Sequence, residues 1–199
     1  MGKIAVDVVL LPAEKMMLRV IEANRELVQK YGPEIVLNTQ DCLPHISLAM
    51  GCIETGSLSS IENILKNIAS NTFLPQMTVT RVDISTSFSG KTISAFEIEK
   101  LQELVTLHEQ IMERLESRMT NDATADMLVN PQEVGVCSLQ WIRDYRTKSS
   151  FEHFFPHITI GYGCYEASDL PPRFSASHLA LCRLGNHCTC RKVLASIEL

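Results

Sequence analysis

The chain has 199 residues, of which 45% are hydrophobic and 21% charged, as expected of one globular domain with a full-sized core. A formal net charge of −5 argues against a nucleic-acid coat with a broad basic surface, while leaving room for a local basic pocket at one end of a nucleotide chain. No apolar run reaches the roughly 18 residues that a membrane-spanning helix requires, and the start reads as a strand, too short for a signal peptide.

In chain order, Ile4 to Leu11 reads as a buried strand. Pro12 sits near a helix start, and Met17, Val20, Ile21, Asn24, Leu27, Val28 and Tyr31 recur at helical spacing until Gly32-Pro33 ends the helix. A second helix carries Leu58, Ile61, Ile64, Leu65 and Ile68. Two strands follow, Met77 to Thr86 and Thr92 to Ile98, with a turn around Ser89-Gly90. A third helix has the apolar face Leu101, Leu104, Val105, His108, Ile111, Met112 and Leu115, which repeats the first helix's face 84 residues on. Even the polar exceptions coincide, Asn24 against His108. A short helix spans Ser138 to Arg146, and a final hairpin pairs Ser177 to Leu184 with Cys190 to Ile197 about Gly185-Asn186.

The most informative feature is a doubled motif: Pro44-His45-Ile46-Ser47-Leu48 and, 112 residues later, Pro156-His157-Ile158-Thr159-Ile160. In a strand, alternate side chains share a face, so each His lies beside its hydroxyl residue, with the aliphatic residues opposite. One imidazole can accept a proton while the other donates one, and the hydroxyls can hold phosphate oxygens. The shared helix face and the doubled motif together suggest an internal duplication within one bilobal domain over residues 1–199. Its halves are about 1–87 and 88–199, with an insertion at about 120–150 that accounts for the change in offset from 84 to 112.

The doubled His-apolar-Ser/Thr-apolar motif resembles the two-histidine (2H) phosphoesterase superfamily, in particular its RNA 2′,3′-cyclic phosphodiesterase and 2′-5′ RNA ligase branch. The resemblance implies an α+β fold in which two antiparallel sheets face a central cleft, with helices outside. It implies His45 and His157 as the catalytic pair, and Ser47 and Thr159 as phosphate-binding residues. It also implies a metal-independent reaction without a cofactor, acting on an RNA end or nucleotide that carries a cyclic or 2′-5′ phosphodiester, with no membrane partner. Cleavage or ligation of 2′-5′ linkages and a non-catalytic nucleotide-binding module are the alternatives. The two histidines are taken to titrate near neutrality without much tuning.

Substrate contacts are expected from the insertion, where Trp141 and Tyr145 lie near Arg143, Arg146 and Lys148 in a candidate flap, and from Tyr162 after the second motif. Arg81 and Arg191 are further cations that a cleft could use, although strand cations more often face solvent. His108 on an apolar helix face reads as a satisfied core histidine; His153 and His178 read as bystanders. His187-Cys188-Thr189-Cys190 resembles a metal motif, but no second ligand pair is evident, so no metal site is expected. The odd count of seven cysteines, in strand-like text, reads as reduced thiols in a cytoplasmic protein.

Overall fold

The computed structural model describes residues 2–87 and 89–199; Met1, and Phe88 at which the second predicted half begins, lie outside the described residues. Elements follow in the order β1 (Lys3–Pro12), α1 (Glu14–Tyr31), β2 (Ile46–Glu54), α2 (Leu58–Ala69), β3 (Val79–Thr86), β4 (Thr92–Ile98), α3 (Gln102–Leu115), α4 (Val136–Lys148), β5 (His157–Tyr162), β6 (Ala176–Leu184) and β7 (Cys190–Glu198). The fold is α+β, with a four-stranded antiparallel sheet in the order β2-β1-β6-β7 and a three-stranded antiparallel sheet in the order β3-β4-β5.

β1 is central in its sheet, which explains its nearly unbroken apolar text: it is buried from Ile4 to Pro12, on both faces. Asp7 is the one charged residue in that stretch. α1 ends where Gly32 adopts φ of +106°, as the Gly-Pro pair foretells. The halves exchange elements. β3 joins the sheet of β4 and β5, whereas the terminal hairpin β6–β7 joins the sheet of β1 and β2. The helices cross likewise, with α1 packing on β5 and α3 on β2. Among the described residues, no helix is long and apolar enough to cross a membrane.

The two motif strands sit in matching registers. Ser47 lies opposite Val9 and Ala49 opposite Val8, so Leu48 is an extra residue, a β-bulge. In the second sheet Thr159 lies opposite Ala95 and Gly161 opposite Ser94, which makes Ile160 the equivalent bulge. A bulge leaves backbone groups without their ladder partners, and buried ones must find others. His108 Nδ1 donates to Leu48 O at 2.7 Å, and Asn24 Nδ2 donates to Ile160 O at 2.8 Å. The two polar exceptions on the helix faces therefore do the same work, each holding the bulge of the other half's motif strand. Both also anchor the segment leading into their own half's motif. Asn24 Nδ2 donates to Ile35 O and its Oδ1 accepts from Leu37 N–H, each at 2.9 Å. His108 Nε2 accepts from Phe151 N–H at 2.8 Å, and its ring stacks on Phe154 at 4.1 Å.

Candidate active site

A cavity of about 540 Å³ opens between the two sheets, lined by His45, Ser47, His157 and Thr159 together. The two histidines are held in the same way. Nδ1 of His45 bonds Leu43 O at 2.7 Å, and Nδ1 of His157 bonds Phe155 O at 2.8 Å, each carbonyl lying two residues back across a proline. A carbonyl can only accept, so in the neutral ring Nδ1 carries the proton and Nε2 keeps a free lone pair. Phe155 stacks beside His157, with centroids 5.6 Å apart. Both imidazoles are thus oriented by backbone carbonyls.

Burial pushes the pKa of both histidines down: His45 to about 4, with the His157 imidazole adding to the effect and the Leu43 carbonyl opposing it. Burial lowers His157 as well, while the Phe155 carbonyl and the Asp83 carboxylate support its charged form. This corrects the expectation of near-neutral, untuned imidazoles. Partial enclosure in the cleft disfavours a cation until an anion enters it.

Asp7, which the sequence pattern passed over, lies against the first motif. Its Oδ2 is 2.6 Å from Ser47 Oγ and 3.9 Å from His45 Nε2. The residue is fully buried, and its Oδ1 has no hydrogen-bond partner. Burial raises its pKa to about 8, against the opposing effect of Ser47 and the Ala49 backbone. The sheets differ here. The register places Ile93 where Asp7 would have its counterpart, and Ala180 where Asp83 would have its own.

Of the predicted substrate contacts, Trp141 and Tyr162 line the cavity, joined by Tyr145 and Lys148. Arg143 and Arg146 do not. Arg143 Nη2 donates to Ala123 O at 2.7 Å, and Arg146 Nη2 to Glu116 at 2.6 Å. The helical period explains the correction: Trp141, Tyr145 and Lys148 follow at i, i+4, i+7 on the stripe facing the cavity, while positions 143 and 146 fall on another. Nor is the insertion a loose flap. Thr120 exchanges backbone hydrogen bonds with Cys52 on β2, and Asn121 Nδ2 donates to Ile142 O. At its other end, Asn186 Oδ1 accepts from Gly135 N–H and Ser138 Oγ–H, which ties α4 to the β6–β7 turn.

Arg81 and Arg191 also lie outside the cavity lining; Arg81 Nε donates to Glu97 at 2.6 Å, and Arg191 lies 3.9 Å from Asp41. The His187 ring is engaged by Tyr162 OH at 3.0 Å and by Asn186 Nδ2 at 3.2 Å. Cys190 is disulfide-bonded to Cys182, contrary to the expectation that all the thiols are reduced. The pair sits on adjacent strands with Cα atoms 5.5 Å apart, a separation that a hairpin brings about from eight residues of sequence. Among the described residues, no group of three or more His, Cys, Asp or Glu is placed to share a metal ion. Compared with models of known protein families and with curated protein sequences, the chain matches none.

Proposed function

We propose that the chain is a phosphodiesterase of the 2H type, opening 2′,3′-cyclic phosphates on RNA ends or nucleotides without a metal ion or cofactor. The observation that carries the reading is the matched pair of imidazoles in one cleft, each with Nδ1 tied to a carbonyl two residues back and Nε2 left for chemistry. Ser47 and Thr159, one beside each imidazole, hold the non-bridging phosphate oxygens.

The unequal surroundings support a division of labour. His157, whose charged form Asp83 favours, is the general acid; His45, whose charged form burial and the neighbouring His157 disfavour, is the base. Water attacks phosphorus as its proton passes to His45 Nε2. The P–O3′ bond breaks, and His157 gives its Nε2 proton to the departing O3′, leaving a 2′-phosphate. The phosphodiester anion offsets the cost of charging His157 in the cleft. Trp141 and Tyr162 offer rings to the attached base, and Lys148 a cation to a neighbouring phosphate. A cytoplasmic setting belongs to this reading; the five unpaired cysteines fit it, and the Cys182–Cys190 pairing stands against it.

The test is turnover of the four nucleoside 2′,3′-cyclic phosphates in EDTA, with His45→Ala and His157→Ala alongside. Loss of turnover by at least about a thousandfold in each variant is expected, as for removal of paired acid–base groups. Turnover that survives either substitution sinks the mechanism, and binding without turnover in the unaltered chain indicates a nucleotide-binding module instead.

A further inference from the structure

We propose that Asp7 is a positioning residue of the phosphate site: its buried carboxyl donates its own proton to Ser47 Oγ, so that the Ser47 hydrogen points into the cleft for a phosphate oxygen. This rests on the cleft being the phosphodiesterase site described above.

The geometry allows few alternatives. Ser47 Oγ and Asp7 Oδ2 are 2.6 Å apart, so one hydrogen lies between them. If Ser47 supplies it, the hydroxyl has no proton left for a phosphate and can only present lone pairs to an anion, which repels it. If Asp7 supplies it, the hydroxyl hydrogen is free to turn into the cleft. The surroundings choose the second arrangement. An ionised Asp7 would bury its charge fully, with Oδ1 unpartnered and only Ser47 and the Ala49 backbone to set against the loss of water. A phosphate arriving at Ser47 would add a second negative charge nearby and disfavour ionisation further.

The groups around Asp7 do not supply a compensating cation. From β2, His45 faces it at 3.9 Å with its pKa depressed by burial. From α4 comes the phenol of Tyr145, and from the β6–β7 turn the thiol of Cys188, both pushed towards their neutral forms by burial and by Asp7 itself. On β6 the opposing residue is Cys182, held in the disulfide. Asp7 is therefore a neutral donor at neutral pH. Its pKa near 8 means that it becomes an anion beside the phosphate site as the solution turns alkaline. Thr159, with Ile93 rather than a carboxyl nearby in register, has no such switch.

The experiment measures binding of inorganic sulfate, a dianion throughout the range, at about pH 7 and about pH 9.5, with kcat/KM for cytidine 2′,3′-cyclic phosphate in parallel. In the unaltered chain sulfate affinity falls by at least about tenfold between the two, following ionisation of one buried carboxyl. In Asp7→Asn the amide donates to Ser47 at every pH. Its affinity then falls by at least about threefold less across the range than the unaltered chain's, and at pH 7 it binds sulfate within about threefold of the unaltered chain. Asp7→Ala, which provides no donor, binds sulfate weakly at both values. A pH dependence of sulfate binding in Asp7→Asn equal to that of the unaltered chain overturns the proposal, as does equal binding by Asp7→Ala and Asp7→Asn at pH 7. Absence of turnover in the unaltered chain counts against the phosphodiesterase reading instead, and the sulfate data still judge Asp7.

Discussion

Replacing Asn24 by Asp changes one NH2 to an oxygen and tests whether the bulge anchors hold the site together. Asn24 is 1% exposed and makes three buried hydrogen bonds, donating to Ile35 O and Ile160 O and accepting from Leu37 N–H. Aspartate keeps the acceptor for Leu37 but loses both donations, turning a carboxylate oxygen towards two carbonyls. Each buried group left without a partner costs about 1–3 kcal/mol, so a deficit of about 3 kcal/mol is expected at pH 7.5, a large share of the roughly 5–15 kcal/mol of a typical domain. The sign of its pH dependence follows from the environment. Burial and two facing carbonyls raise the folded carboxyl's pKa above its unfolded value, so the folded state binds the extra proton between them. Stability relative to the unaltered chain is then regained as pH falls, because the protonated acid can again donate to one carbonyl. Urea unfolding of both proteins at about pH 7.5 and about pH 5.5 reads the difference, which shrinks by at least about 1 kcal/mol at the lower value. A deficit below about 1 kcal/mol, or one that ignores pH, refutes the anchor argument.

Two further outcomes follow from the same geometry. His108 is neutral in the fold, with its pKa lowered to about 4 by burial, so the unfolded chain binds more protons between about pH 4 and 6.5 and stability falls as pH drops through that window. His108→Gln removes about 2 kcal/mol of the difference in unfolding free energy between pH 7 and pH 5; a variant with the full wild-type pH dependence contradicts this. Steady-state kinetics separate the two kinds of α4 residue. Trp141→Ala raises KM for a cyclic nucleotide by roughly tenfold through lost stacking, whereas Arg146→Ala leaves KM unchanged, and an Arg146 effect as large as that of Trp141 would place the substrate on the wrong face of α4.

Much of this was legible in the sequence because it was written periodically. The alternation at His45-Ile46-Ser47-Leu48 and at His157-Ile158-Thr159-Ile160 located both motif strands, and the 84-residue echo of α1 in α3 paired the two helices that hold them, down to Asn24 and His108. The work of those two residues was not legible, since a bulge is a property of the register between strands and Leu48 and Ile160 read like any other aliphatic residues. Arg143 and Arg146 were favoured for their charge although the helical period places Trp141, Tyr145 and Lys148 on the cavity side instead. Asp7 went unnoticed because its neighbours from Ile4 to Leu11 read as wholly buried strand. A carboxylate in such text is a signal in its own right: burying it is costly unless it is neutral or paired. The Cys182–Cys190 pairing depends on the hairpin register, which composition does not carry.

The duplicated scaffold presents a chemical difficulty that its irregularities resolve. Two equivalent strands with equivalent bulges, held by equivalent helices, deliver two imidazoles in the same orientation. The proposed in-line displacement at phosphorus needs them in opposite protonation states, which two identical environments would not select. The symmetry is broken one register step away from the imidazoles, where the backbone geometry is left untouched. Asp83 stands in the second sheet where the first has Ala180, and it favours the cationic form of His157. Asp7 stands in the first sheet where the second has Ile93, buried too deeply to be an anion at neutral pH and so unable to charge His45. The proposed division of labour therefore rests on where each sheet carries its carboxyl, and it leaves the positions of the two imidazoles matched.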